Sequence, residues 1–167
     1  MVVCIAIGNT LREDDGVAGH ALRLIASTST GENRADPEPG PPGDQVRLLE
    51  VFQLLPELAC EIASADLVFF LDADACAENT FLTLIETDSA HGSPLAHSMS
   101  PAEVVAMSRD LYAFAGKALL CHIPAKRFGF GEALTTEAEK AARSAAQMIV
   151  EYAALHVNAN PPRLVNN

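Results

Sequence analysis

Three clusters of polar residues interrupt an otherwise apolar text, and each follows a strand-like run. Gly8-Asn9-Thr10-Leu11-Arg12-Glu13-Asp14-Asp15-Gly16 comes after the first run, Asp72-Ala73-Asp74 closes a later one, and His91 and His97 stand just ahead of Ser100-Pro101. Two carboxylates and an imidazole gathered at one edge of a sheet can hold a borderline transition metal with coordination positions left open. The same groups can instead serve as acid and base. Asp72 is the most informative of them. It ends an apolar run where burial of a lone carboxylate costs several kcal/mol, so it implies a partner or a solvent cavity.

The other polar residues have plainer readings. Asp14 and Asp15 suit the first turn of a helix, where the dipole favours negative charge. Asp74 suits a turn, His20 and His122 suit packing against apolar neighbours, and His156 lies near the terminus. No G-x-S-x-G nucleophile motif occurs, and neither G-x-G-x-x-G nor G-K-[ST] follows Gly8-Asn9 to make a phosphate loop.

The elements that must position these residues read as alternating strands and helices. Met1 to Gly8 (MVVCIAIG) and Asp66 to Asp72 (DLVFFLD) are continuous apolar runs, as in strands covered on both faces. Val46 to Phe52 and Ala118 to Ile123 are further strands, and Thr80 to Glu86 alternates as an outer strand does. Helices are expected from Val17 through Ile25, over Leu54–Ile62 with Pro56 in the opening turn, and from about Thr135 to Leu155. Another begins at Ser100-Pro101, an N-cap with Pro at N1, its face marked by Val104, Met107, Leu111 and Phe114. This alternation predicts a three-layer α/β/α sandwich around a mostly parallel, five-stranded twisted sheet. In such sheets ligands bind beyond the carboxyl ends of the strands, where strand order reverses.

The chain has 167 residues, 49% of them apolar, enough for one domain with a sizeable core. We expect that domain over residues 1–157, with a flexible Pro/Gly/Asp-rich insert at 27–45 and a tail at 158–167. Lys+Arg 11 against Asp+Glu 22 gives a formal charge of −11, which repels phosphate backbones and anionic lipid. Nucleic-acid and membrane partners are not expected. No apolar run reaches the roughly 20 residues that span a bilayer, and no leader pattern opens the chain, so a cytoplasmic location is expected. Cys4, Cys60, Cys76 and Cys121 form no C-x-x-C pair and read as small buried hydrophobes.

The opening I-A-I-G-N-T-L-R-E-D-D-G-V-A-G resembles the G-N-x-L-x-x-D-[DE]-G-x-G signature of the hydrogenase maturation endopeptidases. Q-L-L-P-E-L (Gln53–Leu58), A-D-L-V-F-F-L-D-A (Ala65–Ala73), H-S-M-S-P-A-E-V-V-A-M-S (His97–Ser108) and F-G-F-G-E-A-L-T (Phe128–Thr135) fit the same family in order. The chain departs from it after Asp72-Ala73, where no G-x-x-P-G turn follows, and after the second strand, where D-G-x-x-G is absent. The resemblance implies a phosphorylase/hydrolase-like fold and an endopeptidase. That enzyme removes the C-terminal extension of a nickel-loaded hydrogenase large-subunit precursor. It implies Asp15, Asp72 and His97 as metal-contacting residues, with Asp15 or Asp72 as general base. It also implies nickel carried by the substrate, with room for another divalent metal bound adventitiously, and a monomer whose partner is the precursor. Three ligands leave a metal unsaturated, as is needed if nickel arrives on the substrate's cysteines.

Two other functions use the same residues. A non-catalytic nickel-site assembly chaperone would hold the metal without hydrolysis. A receiver-like signalling domain also has acidic residues after its first and third strands. Here, however, Asp14 and Asp15 lie well past the first strand, and Lys117 sits at the start of the last strand rather than its end.

Overall fold

The computed structural model describes residues 1–29, 46–87 and 99–159. Five strands form one sheet: β1 (Val2–Ile7), β2 (Val46–Val51), β3 (Leu67–Asp74), β4 (Phe81–Leu84) and β5 (Lys117–Pro124). Their order is β2-β1-β3-β5-β4. Every neighbouring pair is parallel except β4 with β5, the antiparallel edge. Successive side chains of a strand point to opposite faces, so each central strand feeds two cores. Val2, Cys4, Ala6, Leu67, Phe69 and Leu71 pack under α1 (Val17–Ser29) and α4 (Thr136–Ala159). Val3, Ile5, Val68 and Phe70 pack on the other side under α2 (Leu58–Glu61) and α3 (Pro101–Tyr112). The expected three-layer sandwich is therefore the architecture found.

The chain leaves β1 toward β2 on one side and then crosses to β3 on the other. Strand order thus reverses between β1 and β3, and the crevice beyond their carboxyl ends is where a ligand belongs. The loop after β1 and the end of β3 are its two walls.

Several boundaries differ from the sequence-based expectation. α2 covers only Leu58–Glu61, because the residues after β2 are used in a bridge between Leu54 and Met99. β3 runs past Asp72 to Asp74. α1 continues to Ser29, through the first residues of the expected insert; the rest of that insert lies outside the described residues, as does the expected tail beyond Ala159. In α3 the buried residues are Val104, Val105 and Ser108, while Leu111 is exposed and Phe114 lies beyond the left-handed cap at Ala113. The α3 start is as expected: the Ser100 hydroxyl accepts the Glu103 N–H, and Glu103 accepts the Ser100 N–H at 2.6 Å. The cysteine expectation holds for half of the set. Cys4 and Cys121 are buried, their thiols pushed up to about 12 mainly by burial, whereas Cys60 and Cys76 are exposed. No helix among the described residues is long and apolar enough to cross a membrane.

Candidate functional site

The β1 strand ends in a turn that only glycine permits. Gly8 has φ +144°, and a Cβ there would stand 2.1 Å from the carbonyl oxygen of Asp15. This close approach folds the following residues back over the strand end. Gly8 N–H donates to the Val51 carbonyl at the end of β2 (3.1 Å), and Asn9 N–H donates to Asp15 Oδ2 (2.9 Å). Asn9 Oδ1 in turn accepts Leu11 N–H (2.9 Å). Asp15 is half-buried and is aimed by backbone, with no cation bonded to it among the described residues.

Asp72, half-buried near the end of β3, is the second wall of the crevice. Its carboxyl is pushed up to about 6, chiefly by burial and further by the negative charges of Asp15 and Asp74; the Ala73 N–H and His122 pull the other way. The charge of Asp15 raises the proton affinity of Asp72, and no lysine or arginine is paired with either among the described residues, so the site gains from a cation or a proton.

Asp72 is the register partner of His122 on β5. His122 Nδ1 lies 2.9 Å from Asp74 Oδ2 and Nε2 lies 3.1 Å from Thr83 Oγ1, while Phe81 stacks on the ring at 4.4 Å between centroids. The second oxygen of Asp74 accepts the Cys76 and Ala77 N–H groups, so the turn-forming reading of Asp74 is right and incomplete. The sequence alone predicts only packing for His122. The missing signal is strand adjacency: β3 lies beside β5, so Asp72, Asp74 and His122 share one face.

Asp14 and Asp15, adjacent in sequence, have opposite roles. Asp14 is fully buried and accepts four hydrogen bonds: from the N–H groups of Lys126 (3.1 Å), Arg127 (3.1 Å) and Thr135 (2.8 Å), and from the Thr135 hydroxyl (3.0 Å). Burial pushes its carboxyl up, but these donors outweigh that and hold it below the usual carboxylate range. Thr135 Oγ1 also accepts Ala138 N–H, so it caps α4 while bonding Asp14. Asp14 is thus a structural hub tying the β1–α1 turn to the β5–α4 loop, rather than a surface charge on a helix end. Residues 13–16 form a 3-10 turn, which separates the two side chains.

His20 is half-buried on α1, and His156 is half-buried on α4. His91 and His97 lie outside the described residues. Met99, two residues after His97, donates its N–H to Leu54 (3.2 Å), just past the end of β2. Among the described residues no group of three His, Cys, Asp or Glu side chains could hold a metal ion. Lys126, which the sequence reading passed over, follows β5; its ammonium bonds the carbonyls of Ala75 (2.8 Å) and Ala77 (3.1 Å) and closes the loop after β3.

No family model matches the chain, and no curated protein is significantly similar to it in sequence. Solved structures do match. The endopeptidase HybD of E. coli, a hydrogenase maturating enzyme, aligns with a TM-score of 0.66 at 18% identity, covering 94% of this chain and 93% of that one. The [NiFe] hydrogenase maturation protease HycI of Thermococcus kodakarensis aligns at 0.63 and 18% identity over 90% of each chain. HybD from the same organism aligns at 0.62 and 19% identity, covering 91% of this chain and 98% of that one. The chain has the fold of these proteases over nearly its whole length.

Proposed function

We propose that this protein is a hydrogenase maturation endopeptidase, which removes the C-terminal extension of a nickel-loaded large-subunit precursor. The observation that carries this reading is the crevice at the strand-order reversal, where the charge of Asp15 acts on Asp72 and neither is paired with a lysine or arginine among the described residues, in a fold shared with such proteases. Asp15, Asp72 and His97 are the proposed nickel contacts. Met99, two residues after His97 in the sequence, bridges Leu54 just past the carboxyl end of β2, the end of the sheet that holds Asp15 and Asp72.

Nickel here is part of the substrate. Two carboxylates and an imidazole, with no thiolate, make a weak site alone and a strong one when the substrate's cysteines complete the shell. Binding would therefore select a precursor that already carries its metal. The Asn9 N–H keeps Asp15 turned to the crevice, and Asp74, through His122, frames the far side of Asp72. A carboxyl with a pKa of about 6 is mostly ionised at neutral pH and more basic than an ordinary aspartate, so Asp72, where the metal does not fully engage it, can take a proton from a water beside the scissile carbonyl and return it to the leaving amine.

A receiver-like domain is disfavoured by the antiparallel β4 at the sheet edge and by the use of Lys126 on loop carbonyls. Incubation with a nickel-loaded precursor, followed by mass measurement, separates the remaining two functions. A protease shortens the precursor; an assembly chaperone binds it and leaves its mass unchanged.

A further inference from the structure

Phe130 is 98% exposed, the most of any large apolar side chain among the described residues. Yet the backbone on either side of it is held. Gly131 N–H donates to the Leu11 carbonyl (3.0 Å), Glu13 N–H donates to the Gly131 carbonyl (2.7 Å), and Arg12 and Gly131 form a parallel bridge. Gly129 N–H donates to Glu13 Oε2 (3.1 Å), and the Arg12 guanidinium donates to the Phe128 carbonyl (3.1 Å). The loop is rigid while its aromatic ring rests in water. Leu11, on the strand of the bridge that faces it, is 57% exposed.

Pre-ordered aromatic side chains with no contact of their own are the features that bury into a partner, because little entropy remains to be lost on binding. We infer that Phe130 and Leu11 are the anchor on which the folded body of the large-subunit precursor docks while its tail enters the crevice. The inference rests on the protease reading of that crevice. The occupant follows from position: the Leu11–Glu13 segment leads directly into Asp15, so whatever is held there lies against the site. Phe52, 74% exposed, follows Val51, whose carbonyl takes the Gly8 N–H, and so stands on the β2 flank of the same opening. Exposed apolar side chains on both flanks of the opening suit the surface of a folded domain better than a single extended tail. The charges around the anchor also balance, Arg12 and Arg127 against Glu13 and Glu132, with Arg127 paired to Glu13 at 3.0 Å, in a chain of formal charge −11. The matching surface is therefore an apolar pocket beside the cleavable tail rather than a basic patch.

The test uses the full-length protein and the nickel-loaded large-subunit precursor encoded by the same genome. Phe130→Ser should raise KM for the precursor by about 30-fold, the ratio that loss of an aromatic anchor worth about 2 kcal/mol produces. Its kcat should stay within about twofold of wild type, a split expected for lost uniform binding. Phe130→Leu should recover most of the loss, Leu11→Ser should raise KM in the same sense, and Tm should not change in any of them. If the wild type cuts the precursor and Phe130→Ser cuts it with the same KM, the docking inference falls and the protease reading stands. If the wild type cuts no precursor, the reading itself falls and takes the inference with it. A wild type that sediments as a dimer which Phe130→Ser dissociates would show that a second copy of this chain covers the patch, and would also overturn the inference.

Discussion

Asp72→Asn should make the metal-free protein more stable, and by an amount that depends on pH in a defined way. The Asp72 carboxyl is pushed up to about 6 from an ordinary value of 3.8, chiefly by burial. Each tenfold change in proton affinity is worth about 1.4 kcal/mol, so holding this group ionised in the fold costs on the order of 2–3 kcal/mol at pH 7. The unfolded chain releases its proton first. Below about pH 4 the carboxyl is protonated in both states and costs nothing; between about 4 and 6 the folded state loses stability as pH rises; above 6 the full penalty stands. Asparagine is neutral throughout and keeps the shape. In a chelator-containing buffer the variant should melt roughly 5–10 °C above wild type at pH 7, taking about 2–4 °C per kcal/mol for a domain of this size. At pH 4 the two curves should nearly coincide. Thermal unfolding at steps from pH 4 to 7.5 measures both. A variant less stable than wild type at pH 7, or a difference that does not shrink toward pH 4, would refute the claim that Asp72 is an uncompensated carboxylate.

Asp14→Asn should act in the opposite direction and lose roughly 3 kcal/mol at pH 7 in urea titration, because an amide replaces one acceptor among four donors. The stability that Asp14 contributes is present at neutral pH and lost as pH falls through its lowered folded value, so the variant should also show a weaker acid-induced loss. Gly8→Ala should abolish a folded product on expression, or cost more than about 3 kcal/mol, since its Cβ would overlap the Asp15 carbonyl at 2.1 Å. Asp15→Asn, Asp72→Asn and His97→Gln should each reduce precursor cleavage by at least about 100-fold without unfolding the protein, while His91→Gln cleaves as wild type does. The purified protein should contain far less than one equivalent of nickel or zinc by elemental analysis; tightly held stoichiometric metal would contradict a site that the substrate completes.

The layers of the fold were legible because β1 and the first five residues of β3, Leu67 to Leu71, are apolar at every position, as in strands buried on both faces. Asp72 was legible for the same reason, as a charge interrupting such a run. His122 was not, because its importance depends on β3 and β5 being neighbours, and strand order is not written in local periodicity. The exposed Cys60 and Cys76 show the same limit, since composition assigns a residue type to the interior without knowing which side of a short helix or turn it occupies. On α3 the expected face holds at Val104 and at Phe114 just past the helix, while Leu111 is exposed and Val105 and Ser108 are buried beside Val104.

The pair Asp14-Asp15 carries the deeper reason. In a regular helix two successive side chains diverge by about 100°, and either one could be the surface charge. Here a 3-10 turn, set by the Gly8 approach and the bonds to residues 126–135, sends Asp14 into the protein and leaves Asp15 at the crevice. One carboxylate receives four donors and secures the loops; its neighbour receives the Asn9 N–H and, with Asp72, presents negative charge to the crevice. Saturating Asp14 is what allows Asp15 to remain unsaturated, because the backbone that aims Asp15 is held by the donors that Asp14 binds. Substituting the first should therefore disorder the site and the fold together, while substituting the second should silence the site and leave the fold intact.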